Sequence, residues 1–133
     1  MKIEYRVNTP VSAKEIAALR ESVCWNRMED CYNNLSFISR CHIACYAENG
    51  LLIGHVDTVS NGVTDAYIQD LIVHSEHQNQ GIGTELMNRI IAQLKEDKIY
   101  MISIVFEEKL LSFHSKFDFF KMMCGQMQTY ECD

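Results

Sequence analysis

Tyr67-Ile68-Gln69-Asp70-Leu71-Ile72-Val73-His74-Ser75-Glu76-His77-Gln78-Asn79-Gln80-Gly81-Ile82-Gly83-Thr84-Glu85-Leu86-Met87 is the stretch on which the fold turns. Leu71, Ile72 and Val73 form an apolar run too short for a helix, so the first part reads as a buried strand. The last part opens an amphipathic helix. Ile82, Leu86, Met87, Ile90, Ile91 and Leu94 recur at spacings of three and four, while Glu85, Asn88, Arg89 and Gln93 take the other face. A polar turn ending in Gly81-x-Gly83 joins the two. A helix that starts this way presents unpaired backbone N–H groups and the positive end of its dipole. Glycine keeps side chains from blocking the approach. The pattern predicts a seat for a phosphate or pyrophosphate.

Upstream, Ile3, Tyr5 and Val7 alternate with Lys2, Glu4 and Arg6, the signature of a first strand. Thr9-Pro10 ends it. Ser12-Ala13-Lys14-Glu15 is a capping box, with Ser12 as N-cap, so a helix is expected to about Val23 that buries Ile16 and Leu19. Cys24-Trp25-Asn26 interrupts it, and Met28 to Arg40 reads as a second helix. That break brings Trp25 and Tyr32 to a helix–helix corner, where two aromatics either pack or line a pocket. His42–Ala47 and 51–60 read as strands joined at Asn49-Gly50, and Asn61-Gly62 marks a second hairpin turn. Tyr67–His74 is the fourth strand. After the long helix, to about Asp97, Ile99–Phe106 is a fifth strand. Glu107–Lys116 reads as a short helix with Leu110, Leu111 and Phe113 inward. Phe119–Cys124 and Met127–Cys132 read as a final strand pair around Gly125-Gln126. The order β-α-α-β-β-β-α-β-α-β-β describes an α/β fold (an α+β mixed sheet), whose antiparallel front passes into a β-α-β crossover. No repeat or second domain interrupts residues 1–133, which read as one domain.

Composition narrows the classes. With 133 residues and 47% apolar content the chain can bury one core. A net charge of −6 without a basic run argues against nucleic acid as a partner. The chain holds no apolar run of about 18–20 residues and no signal-peptide pattern at Met1–Arg6, so a soluble cytoplasmic protein without membrane contact is expected. Six cysteines invite a zinc or disulfide reading. Cys41 and Cys45 share a strand, however, and at about 3.3 Å per residue their Cα atoms stand about 13 Å apart, too far for one zinc. Cys24, Cys31, Cys124 and Cys132 form no C-x-x-C, and buried reduced thiols are the reading adopted. His74 and His77 are spaced H-x-x-H but lack a third ligand, so no metal is expected.

The glycine turn is neither a P-loop, for which the Lys and the spacing are missing, nor a dinucleotide fingerprint, for which the third glycine is missing. Gln78-x-x-Gly81-x-Gly83 between a strand and a helix resembles the acyl-CoA-binding motif of the GCN5-related N-acetyltransferases. Ile68–His74 looks like the strand that precedes that motif in the family, and Ser112–Phe119 looks like its later Phe-Tyr-x-Lys-x-Gly-Phe segment. The element order agrees over nearly the whole chain. The resemblance implies that the backbone of Gln78, Asn79, Gln80, Gly81, Ile82, Gly83 and Thr84 holds the pyrophosphate of acetyl-CoA, the acetyl donor. It implies that Leu71, Ile72 and Val73 pair with the pantetheine arm like an added strand. An amine on the other side would attack the acetyl carbon directly. Homodimerisation is implied as well.

Direct transfer requires a neutral amine, hence a carboxylate or water chain to take its proton, and a donor for the oxyanion such as a backbone N–H of the central strand. Asp70 is the candidate base. The family's Glu, early in the central strand, is replaced here by Tyr67. His114 stands where the family often has a Tyr acid, and Asp118 where it has Gly. Glu107 stands where Asn is common, and Asn79 replaces a frequent Gly. Trp25, Tyr32 and Tyr67 are the candidate acceptor-site residues. The expected activity is acetyl transfer to a primary amine of a small molecule or peptide. The departures from the family pattern keep open a CoA-binding regulatory module without turnover, and a structural interaction domain is the third reading.

Overall fold

A computed structural model describes residues 2–32 and 41–131 of the chain. Five strands form one sheet in sequence order: β1 (Ile3–Val7), β2 (His42–Ala47), β3 (Leu52–Ser60), β4 (Asp65–Val73) and β5 (Met101–Ile104). The first four pair antiparallel. β5 joins β4 in parallel after the crossover helix α3 (Ile82–Glu96). The two Asn-Gly turns form as expected. Gly50 adopts φ 86° and donates to the Ala47 carbonyl at 2.9 Å, while Asn61 Oδ1 accepts from the N–H groups of Val63 and Thr64 at 2.9 Å each.

Helices cover both faces. α3 buries Ile82, Leu86, Met87, Ile90 and Leu94 against Ile43, Cys45, Ile53, Val56 and Ile68. Each such side chain contributes about 1.5–3 kcal/mol of burial. α3 approaches β3 closely at Gly54, where an added Cβ would meet Leu86 Cδ1 at 3.0 Å and Ile82 Cγ2 at 3.1 Å. α1 (Ala13–Ser22) lies on the other face, with Ile16 and Leu19 packed on Ala44, Tyr46, Leu52 and Ile72. Its capping box is complete. Glu15 N–H donates to Ser12 Oγ, and Ser12 N–H to Glu15 Oε1, at 3.1 Å each.

Several expectations need correction. α2 is the single turn Glu29–Tyr32, and the rest of the helix expected over 28–40 lies outside the described residues. The helix expected over 107–116 is broken into a 3₁₀ turn Glu108–Leu110, the α-turn α4 (Leu111–His114) and a second 3₁₀ turn Ser115–Phe117. Leu110 donates to Glu107, three residues back, and this tighter winding leaves its side chain 44% exposed rather than inward. The final strand pair does not form among the described residues, where 119–131 carries no strand. Asp118, in the left-handed region at φ 63°, turns the chain. Beyond it Phe119 packs on the core, but Phe120, Met122, Met123 and Met127 find no covering layer and stay exposed. Of the thiols read as buried, Cys41 and Cys45 are so, while Cys24, Cys31 and Cys124 are exposed.

Candidate functional site

The turn between β4 and α3 is built to face an anion. Gly81, the N-cap of α3, sits at φ 84° with no side-chain cap, so the first N–H groups of a 15-residue helix keep their donors. A Cβ at Gly81 would meet nothing within 4 Å, so the approach is open. Asn79 also takes the left-handed region, at φ 62°, which Asn tolerates better than most residues. Gln78 ties the turn to the strand, its Nε2 donating to the Val73 carbonyl at 3.0 Å. Lys116, from the 3₁₀ turn after α4, donates to Thr84 Oγ1 at 2.9 Å and places its ammonium beside the helix start. Helix dipole, backbone donors and lysine together suit an anion such as a phosphate or pyrophosphate.

Next to this seat the sheet splits. The last β4–β5 pair is Ile68↔Ile104, yet β4 runs on to Val73. Gln69 to Val73 thus extend past β5, leaving one strand edge of β4 beside the turn. β4 also bulges there. Asp57 pairs with Gln69 and His55 with Ile72, so Asp70 and Leu71 together face Val56 alone. Asp70 absorbs the extra residue at φ 53°.

On the α1 face of the bulge a polar cluster gathers. Arg20, 8% exposed, donates to the Asn26 carbonyl, to the Tyr32 hydroxyl at 2.9 Å and to Asp70 Oδ2 at 3.4 Å. The Tyr32 hydroxyl donates to the same Asp70 oxygen at 2.8 Å. The Arg20 guanidinium lies 5.3 Å from the Trp25 ring and 5.5 Å from that of Tyr32. Asp57 lies beneath at 5% exposure, and its Oδ1 has no hydrogen-bond partner among the described residues. Burial, then the charge of Asp70, push its carboxyl up to about 7, against a hydrogen bond from Gln69 and the Arg20 charge. Burial, then Asp70, also raise Tyr32 and Tyr67 above the usual phenol range, and the Cys124 thiol adds to this at Tyr67. Alongside, His55 Nε2 meets His42 Nδ1 at 3.3 Å, and burial drives His55 down to about 3.

A model of the acetyltransferase (GNAT) family matches residues 12–119. The chain belongs to the GNAT family of acetyltransferases. It is accordingly an acetyl-CoA-dependent N-acetyltransferase by class. The uncharacterized N-acetyltransferase ycf52 of Pyropia yezoensis is 27% identical over 130 residues, 90% of this chain and 74% of that protein. A Staphylococcus aureus protein of unknown function shares the fold with a TM-score of 0.84 at 19% identity, covering 97% of this chain and 100% of that one. The GNAT protein YhbS of Escherichia coli, solved in complex with CoA, superposes with a TM-score of 0.73 at 19% identity over 87% of this chain and 67% of its own.

Within this GNAT fold the residues read from the sequence fall into three groups. Gln78 through Thr84 form the anion-facing turn, and Leu71, Ile72 and Val73 lie on the part of β4 beyond β5. Trp25, Tyr32, Tyr67 and Asp70 gather around Arg20 and the bulge. His114 stands apart from that cluster. It stacks on Phe106 with ring centroids 4.2 Å apart, meets Phe113 edge-on at 4.9 Å, and has no partner for Nδ1 among the described residues. Burial lowers its pKa and holds it neutral. Glu107 pairs with Lys109 at 3.2 Å. His74 accepts from the Glu76 N–H, and no metal-binding group of three His, Cys, Asp or Glu side chains occurs among the described residues. Arg20, Asp57 and Lys116 were not singled out as site residues. For the first two the signal was a charge in an otherwise apolar stretch, Arg20 following Ile16-Ala17-Ala18-Leu19 and Asp57 inside β3. A shallow pocket of about 320 Å³ between α1 and the Gly50 turn lies away from this chemistry.

Proposed function

We propose that this protein transfers the acetyl group of acetyl-CoA directly to a primary amine of a small molecule or peptide. The carrying observation is the conjunction of the uncapped α3 start with the strand edge of β4 beyond its last pair to β5. In this reading acetyl-CoA supplies a thioester whose acyl carbon accepts the nucleophile. The N–H groups of the first turn of α3 and Lys116 hold the pyrophosphate. Leu71, Ile72 and Val73 offer backbone groups to the pantetheine arm. The backbone at the Asp70–Leu71 bulge, turned out of regular register with β3, supplies the oxyanion donor.

Asp70 holds the acceptor nitrogen at the bulge and takes its proton directly or through water, while Trp25, Tyr32 and Tyr67 frame the acceptor. His114, expected as the acid for the leaving sulfur, serves in this reading chiefly as packing on Phe106. Its neutral state limits it to donating an N–H, and a thiol of ordinary pKa about 8.5 leaves with little help. A thiol-release screen with acetyl-CoA against amines, amino acids, aminoglycosides and peptides tests the reading. Amine-dependent release is expected, and its loss in Gly83→Val ties it to the turn. A Cβ at Gly83 would meet Phe113 at 3.5 Å and Val73 at 3.6 Å, ordinary contacts, and the two further methyls of Val crowd the start of α3, so thermal unfolding of Gly83→Val is measured beside binding to separate loss of the seat from loss of the fold. Cofactor binding without release on any amine would replace catalysis with a regulatory role.

A further inference from the structure

The corner at residues 24–32 carries Trp25 and Tyr32, yet none of its residues is buried. α2 is one turn long and buries no side chain. Cys24 at φ 64° and Met28 at φ 50° hold left-handed backbone, which L side chains adopt at a cost. Arg27 bridges Glu21 at 3.3 Å and Glu29 at 2.9 Å, but these pairs are exposed and contribute little. Tyr32, at the far end, packs on the apolar cluster beneath α1. A wall built this way needs a tie from outside itself.

Arg20 supplies one, and it reaches three segments at once. Its own carbonyl accepts from the N–H groups of Val23 at 3.1 Å and Trp25 at 3.0 Å. Its Nε donates to the Asn26 carbonyl, and its Nη2 to Met28 Sδ at 3.3 Å. Its Nη1 donates to the Tyr32 hydroxyl and to Asp70 Oδ2, where Tyr32 also donates. Asp70 is the left-handed residue of the β4 bulge. The end of α1, the corner and the bulge therefore meet at one guanidinium, whose planar fork is suited to several fixed acceptors in a way that an ammonium is not.

We propose that Arg20 is a positioning residue that latches the corner at residues 24–32 to the β4 bulge and so fixes the wall against which the acceptor is aligned. The inference rests on the acetyltransferase reading and adds to it a residue that touches neither substrate. Without the guanidinium, Trp25 and Tyr32 lose their common anchor and the corner opens locally, while the α3 start, on the far side of the bulge, keeps its donors. The side chain of Asp70 is 33% exposed, so water can replace the lost partner and the fold is expected to survive.

Trp25 is the only tryptophan of the chain, so its fluorescence reads the corner directly. Acrylamide quenching of Trp25 in the whole chain is measured for the parent, Arg20→Met and Arg20→Lys, without substrates. The quenching constant is expected to rise about twofold or more in Arg20→Met. Thiol release from acetyl-CoA is followed across the panel of amines, amino acids, aminoglycosides and peptides. Arg20→Met is expected to lose about a hundredfold in kcat/KM for the acceptor while binding acetyl-CoA within about threefold of the parent. Arg20→Lys keeps the charge and loses the fork, and a deficit of about tenfold is expected to remain. Thermal unfolding is recorded for both variants, and Arg20→Lys carries the test with the same directions where Arg20→Met does not fold. A lowered Tm with parental quenching and parental kcat/KM means a merely structural arginine and overturns the proposal, as does full recovery by Arg20→Lys. A parent chain that binds acetyl-CoA but releases no thiol with any acceptor takes down the positioning role together with the transfer reading, and the quenching arm still decides the latch.

Discussion

Replacing Asp57 by Asn removes a buried carboxyl while preserving its shape, and the consequence for stability depends on pH in a defined direction. The folded carboxyl titrates at about 7 against 3.8 for an unperturbed one. The native state therefore holds its proton where the unfolded chain has lost it, and stability falls as pH rises between these values. Above pH 7 the parent folds against an opposing contribution of about 4 kcal/mol, at about 1.36 kcal/mol per pH unit, and below pH 4 against none. Asn has no such titration. Asp57→Asn is thus expected to gain stability over the parent at pH 8 relative to pH 4.5, whatever pH-independent cost the amide carries. Each kcal/mol moves Tm by about 3–5 °C in a domain of this size, so the difference between the two pH values amounts to about 10 °C. Thermal unfolding by circular dichroism at both pH values measures it. Equal shifts at the two pH values, or a larger gain in acid, refute a raised Asp57 carboxyl.

Other perturbations follow from the same geometry. Gly54→Ala forces a Cβ against Leu86, Ile82 and Cys45 at 3.0–3.3 Å and is expected to destabilise by about 1–3 kcal/mol in urea unfolding, without altering acetyl-CoA affinity per folded molecule. His114→Phe keeps the aromatic stack on Phe106, so turnover is expected to drop less than about threefold, whereas general-acid catalysis would lose a hundredfold or more in thiol release. Lys116→Ala removes the ammonium next to Thr84 and is expected to weaken acetyl-CoA by about three- to tenfold in low salt, with the gap closing as salt is raised and screening grows.

The strand–turn–helix at Tyr67–Met87 was legible because each part carries its own local signal. A short apolar run, two glycines and a spacing of three and four need no distant partner to be read. The capping box at Ser12–Glu15 and the two Asn-Gly turns were legible for the same reason. The cluster beside the bulge was only half legible. Trp25, Tyr32, Tyr67 and Asp70 could be named, but the residue that joins them, Arg20, meets Asp70 across 50 positions of chain. Asp57 was read only as part of a strand, because burial and a like charge from β4 are long-range facts that change an ordinary carboxyl into an unusual one. The final strand pair failed on tertiary grounds. Phe119–Cys124 is apolar enough for a strand, but β5 is only four residues long and, among the described residues, Phe120, Met122 and Met123 stay exposed. The positions where Asn79 and Asp118 replace expected glycines do adopt left-handed backbone, so the geometry persists while the residue differs.

Calorimetric titration of the unaltered chain with acetyl-CoA tests the central claim most directly. The account predicts saturable binding at one site per chain that Gly83→Val removes while the fold remains. Absence of binding at millimolar acetyl-CoA, or equal binding by Gly83→Val, would contradict the assignment of the α3 start as the cofactor seat.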